Sequence, residues 1–101
     1  MKVLLHVSEE SKFKVAQANA KNLLKEDNNL EIAIVLNSDA VKVMTNNSLT
    51  LINDVKYYVC NNAITTYNIN IDNLPEKALI TNSGVYKILK LQSEGYYYIK
   101  S

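Results

Sequence analysis

The residue best suited to chemistry in this chain is its single cysteine, because of where it falls. Cys60 closes the apolar run Val55–Cys60 (VKYYVC) and is followed at once by Asn61 and Asn62. A strand that ends in a thiol and runs into two helix-capping residue types places that sulfur at the mouth of an α/β sheet. Open α/β sheets bind ligands outside the carboxyl ends of their strands. A nearby helix N-terminus favours the thiolate, which is the nucleophilic form of sulfur. The alternative is a small buried hydrophobe, since free cysteine is among the most buried residue types.

The other candidates gather around Cys60 if the strands run parallel, because their carboxyl ends then share one edge. That edge collects His6 and Ser8, Asn37 and Ser38, Asn61 and Asn62, and Asn82 with Ser83 and Gly84. One thiol, one imidazole and several neutral polar groups make a small-molecule pocket, with Cys60 as its reactive member and His6, Ser8, Asn37, Asn61, Asn62, Asn82 and Gly84 as its lining. His6 is the only histidine. On an apolar strand it is either a packed, hydrogen-bonded ring or a base. One Cys and one His cannot complete a tetrahedral zinc shell. No serine sits in a nucleophile elbow and no Gly-rich phosphate loop is present, so no nucleotide, flavin or other cofactor is expected.

The elements that must position these residues follow from periodicity. Lys2–Val7 (KVLLHV) reads as a strand buried on both faces. Ser8 to Ser11 supply caps and acid for a helix whose stripe is Phe13, Ala16, Ala20, Leu23 and Leu24, about four turns long. Leu30–Leu36 is a second buried strand; Asn37, Ser38 and Asp39 cap a short helix carrying Ala40, Val41 and Met44, and Leu49–Ile52 is expected to add another turn or two. Val55–Cys60 is the third strand and Asn62–Tyr67 a short helix, with Asn68 suited to the left-handed position at its end. A loop around Pro75 leads to a fourth strand, Lys77–Thr81, then a helix with the stripe Val85, Ile88, Leu89, closed by Gly95, and a last strand Tyr96–Lys100. Alternating β and α units predict an α/β/α sandwich on a mostly parallel sheet of about five strands, one domain over residues 1–101.

Composition bounds the function. The net charge is +1 and every basic residue is lysine, scattered among acidic ones, which leaves no electrostatic footprint for nucleic acid or an anionic membrane. A lone cysteine forms no internal disulfide, and no run approaches a membrane span or a signal peptide, so a cytoplasmic protein is expected. Tyr57, Tyr58, Tyr96, Tyr97 and Tyr98 fall on strands, where neighbours face opposite sides, and so line the core and a subunit contact.

Taken together, these segments resemble the short single-domain branch of the DsrE/DsrF-like sulfur-relay family. The resemblance rests on KVLLHV, on VLNSDAV (Val35–Val41), on VKYYVCNNAI with its strand-end Cys followed by Asn, and most closely on GVYKILKLQSEGYYYIK from Gly84 to Lys100. It implies a homotrimer or homohexamer. It also implies that a cysteine, here Cys60, holds a persulfide and passes sulfur between donor and acceptor proteins. A departure follows the cysteine: where relatives often carry an Arg-Ala-Arg-Gly type of stretch, this chain has Thr65, Thr66, Tyr67 and Asn68, and no arginine anywhere. The guanidinium clamp for an oxyanion is therefore missing. A non-catalytic oligomeric binding or interaction module, with Cys60 a structural residue, is the alternative.

Overall fold

Parallel strands need long crossovers, and the direction of each crossover decides which face its helix covers. A computed structural model describes all residues, 1–101. Its strands are β1 (Lys2–Val7), β2 (Glu31–Leu36), β3 (Val55–Cys60), β4 (Ala78–Thr81) and β5 (Tyr96–Lys100). They form one five-stranded sheet in the order β4-β3-β2-β1-β5, every pair parallel. The first three crossovers all step the same way, from β1 to β2 to β3 to β4. Right-handed connections then put their helices on one face. These are α1 (Phe13–Glu26), a 3-10 helix over Ser38–Thr45, and α2 (Asn61–Thr66). The last crossover returns the other way, past β1, so α3 (Gly84–Ser93) lies on the opposite face. The result is the expected α/β/α sandwich. No helix is long and apolar enough to cross a membrane.

Strand alternation divides the core into two layers. Val3, Leu5 and Val7, Ile32, Ile34 and Leu36, and Val55, Tyr57 and Val59 pack against Phe13, Ala16 and Ala20 of α1, Val41 and Met44 of the 3-10 helix, and Ile64 of α2. Leu4, Ala33 and Val35 pack against Leu91 of α3, with Ile88, Tyr58 and Tyr96 beside them. The small residues Ala16 and Ala20 let α1 sit close on the sheet. Gly95, at φ +96°, closes α3 in the left-handed conformation that glycine adopts without cost, and Asn68 (φ 56°) does the same after α2.

Four local expectations need correction. Ser8 to Ser11 do not cap α1: its capping position is Lys12, which makes no side-chain capping bond, and a 3-10 turn over Glu10–Lys12 precedes the helix. Leu49–Ile52 forms no helix. Its backbone is taken up by tertiary hydrogen bonds instead: Gln17 Nε2 donates to the Thr50 carbonyl and the Ile52 N–H donates to the Tyr57 hydroxyl. Asn37 does not cap the next helix through its side chain, and Ser38 takes a positive φ of 52°, so that segment winds as 3-10 rather than α. Asn61 and Asn62 are the first residues of α2, not its caps; the capping position belongs to Cys60, which makes no side-chain capping bond.

Tyr57 ties the layers together, donating to Gln17 Oε1 at 2.5 Å while accepting from Ile52. Burial pushes its phenol above the ordinary 10.0, outweighing the hydrogen bond from Ile52. The unfolded chain therefore ionises before the folded one, and this group's share of stability, complete below about pH 10, is lost as pH rises through its folded value. Tyr57→Phe is expected to lower stability by about 1–2 kcal/mol at neutral pH. The gap between parent and variant should narrow in urea unfolding at about pH 10.5.

Candidate functional site

The carboxyl ends of β2 and β3 and the start of α3 converge, and the convergence depends on a missing side chain. A Cβ on Gly84 would lie 2.9 Å from Asn37 Cβ, 3.2 Å from Cys60 Cβ and 3.6 Å from Cys60 Sγ. Only glycine admits so close an approach. Cys60 is thus held between its own helix, α2, and the first residue of α3. Its sulfur lies against the α3 terminus as well as the α2 terminus that the sequence pointed to. Ser83 caps α3, its Oγ accepting from the Tyr86 N–H at 3.2 Å. The cap holds the end of a ten-residue helix in place beside the thiol.

An open cavity of about 320 Å³ lies over this junction. Asn37, Cys60, Asn62 and Gly84 from the expected set line it, joined by Ser38, Ala63, Thr66, Tyr67, Ser83 and Val85. All of these side chains are uncharged. No lysine is in the wall; Lys42 Nζ stands 4.4 Å from the centroid of the Tyr67 ring. Cys60 is free and only 6% exposed, so the cavity meets a small part of the residue.

His6 is set back from the wall by one hydrogen bond. Its Nε2 lies 2.9 Å from Asn37 Oδ1 and its Nδ1 2.6 Å from the Tyr98 hydroxyl. Its carbonyl accepts from the Ser101 N–H at 2.9 Å, which extends the β1–β5 pairing past the ring. Ser8, Asn61 and Asn82 do not line the cavity. No three of the His, Cys, Asp and Glu side chains come together as metal ligands.

Tyr67, Thr66 and Tyr98 were not anticipated at this site. Tyr67 and Thr66 enter because α2 is only six residues long, so its end stays beside its beginning. Tyr98 enters through the β1–β5 pairing, which puts β5 residues 96, 98 and 100 on the face of residues 2, 4 and 6 of β1.

Comparison with known proteins gives the fold a family. The model of the DsrE/DsrF-like family matches residues 1–101. A protein of unknown function, MTH1491 from Methanobacterium thermoautotrophicum, superposes with a TM-score of 0.86 at 26% identity, covering 99% of this chain and 98% of that one. The ychN protein from E. coli superposes with a TM-score of 0.77 at 16% identity, over 100% of both chains. No curated protein matches the sequence.

Because both Cβ atoms near Gly84 are fixed to other strands' ends, they cannot swing aside as a flexible side chain would. Gly84→Ala is expected to cost about 1–3 kcal/mol in denaturant unfolding, the usual range for overpacking. It should also change the accessibility of Cys60, read as the rate of thiol labelling in the folded protein.

Proposed function

We propose that this chain, which belongs to the DsrE/DsrF-like family, carries sulfane sulfur, with Cys60 as its acceptor and donor thiol. The observation that carries this reading is the position of the Cys60 sulfur, beside an open cavity and against the capped N-terminus of α3. A helix N-terminus favours a thiolate over a thiol. The Cys60 thiolate attacks the outer sulfur of a donor persulfide, R–S–SH. A new S–S bond forms, the donor's S–S bond breaks, and R–S⁻ leaves, so that Cys60 holds –S–SH. Attack on that outer sulfur by an acceptor thiolate reverses the sequence and restores the Cys60 thiolate. The exchange needs no external oxidant.

The uncharged wall bears on the donor. With no arginine in the chain, a free oxyanion such as thiosulfate finds only neutral groups there: backbone dipoles, amides and hydroxyls. A protein donor, which brings its own positioning contacts, fits this site better.

The second reading, a non-catalytic binding or interaction module with Cys60 structural, is favoured by one observation: the cysteine belongs to the main apolar core cluster. Thiol reactivity separates the two. Alkylation of the native protein, with Cys60→Ser as blank, should proceed without denaturant. A sulfur that reacts only after unfolding would favour the structural role. Incubation with a low-molecular-weight or protein persulfide should add one sulfur to the mass, removable by reductant and absent in Cys60→Ser. Failure to find that adduct, or equal loading of the variant, would overturn the carrier role.

We also propose that the chain assembles as a homotrimer or homohexamer. Helix α3 is alone on its face and exposes Val85, Tyr86 and Leu89, while β5, an edge strand, exposes Tyr97 and Tyr98. These large apolar side chains are the surface that a second copy would cover. Light scattering at micromolar concentration should give a mass of three or six chains, and a monomer there would contradict the proposal.

A further inference from the structure

The imidazole of His6 has a partner at each nitrogen, and together the two fix what Asn37 offers to the cavity. An amide oxygen only accepts, so the contact of 2.9 Å to Asn37 Oδ1 places the proton on His6 Nε2. In the neutral ring Nδ1 is then bare and accepts from the Tyr98 O–H, 2.6 Å away. The order of donors is thus Tyr98 to His6 to Asn37. With Oδ1 engaged by His6, the part of the Asn37 amide left unbonded is its NH₂ group, for which no protein acceptor is present. Asn37 lines the same cavity as Cys60, and both pack on the Cβ position of Gly84. The wall has no cation, so what its side chains can give an anionic sulfur is a neutral donor, and the Asn37 NH₂ is one that no protein acceptor occupies.

We infer that Asn37 donates through Nδ2 to the sulfur species handled at Cys60, and that His6 and Tyr98 are positioning residues that keep the amide the donor way round. The inference rests on the carrier role of Cys60. Turned over, the amide would present its oxygen to a thiolate or persulfide anion and repel it. The anion's charge grows on the departing donor sulfur during transfer, which is where a pre-aimed donor helps most.

The test compares a neutral and an anionic alkylating reagent, iodoacetamide and iodoacetate, on native Cys60, alongside persulfide loading. Asn37→Asp keeps the shape but replaces the donor with a carboxylate. It should lower the iodoacetate-to-iodoacetamide rate ratio by about tenfold or more and slow loading by a similar factor. His6→Ala frees the amide and should slow loading about tenfold. His6→Gln, whose amide N–H can still donate to Asn37 Oδ1, should recover most of that loss, a rescue that a purely structural role for the ring does not predict. Tyr98→Phe should have a smaller effect than His6→Ala. Urea unfolding of each variant confirms that the fold is intact. If the parent loads sulfur while Asn37→Asp and His6→Ala match it in both loading and reagent ratio, the positioning inference falls and the carrier role stands. If the parent loads no sulfur, the carrier role falls, and an unchanged reagent ratio in Asn37→Asp would remove the donor role as well.

Discussion

Everything at the carboxyl edge depends on one close approach. The last crossover must begin where β4 ends and pass over the face opposite α1, and it begins at Gly84, pressed against the ends of β2 and β3. Without a Cβ there, Asn37 and Cys60 can stand on either side of one helix terminus. With a Cβ, the contact of 2.9 Å to Asn37 would force α3, or the turn after β2, to move. The cavity, the sulfur's electrostatic environment and the reach of His6 toward the wall are all set by that contact.

The polarity of the site comes from dipoles rather than charges. The wall has no ionisable side chain apart from Cys60 and Tyr67. The groups that could meet an anion there are the start of α3, capped by Ser83, and the amide of Asn37, whose Oδ1 is held by His6. Fixed dipoles act at short range and fade quickly beyond it. Such a site suits a small, soft anionic sulfur brought into contact. It offers little long-range attraction for a free oxyanion in solution.

The two faces of the sheet are unequally covered. Three helical segments bury one face, while α3 alone spans the other and leaves its own outer stripe in solvent. A chain of 101 residues has limited core, and association is the usual way for small domains to bury more apolar surface. Because Val85 lies on the cavity wall and on the exposed stripe of α3, a copy docked on that stripe would sit at the rim of the Cys60 site.

The strands and long helices were legible in the sequence because their signals are local. Apolar runs of five or six residues, the 3.6-residue stripe of α1 and the left-handed Gly95 need no knowledge of distant residues. So was the gathering of Asn37, Cys60 and Gly84 at one edge, since parallel strands must end together. The failures share one cause. Leu49–Ile52 has helix-compatible residues, but Gln17, 33 residues from Thr50, and Tyr57 on the next strand offer its backbone better partners. Ser8, Asn61 and Asn82 carry the right chemistry at the right strand ends, yet they are not among the residues that line the cavity, and nothing local in the sequence separates them from those that do. Strand order, the side taken by α3, and the contact of its first residue with Cys60 were also beyond local reading, because they arise from crossover direction and from packing between segments far apart in the chain. Local propensity and periodicity therefore determined the elements and the edge where chemistry is possible. Only the tertiary structure decided which polar groups face the thiol, because that depends on distances between segments that no spacing in the sequence encodes.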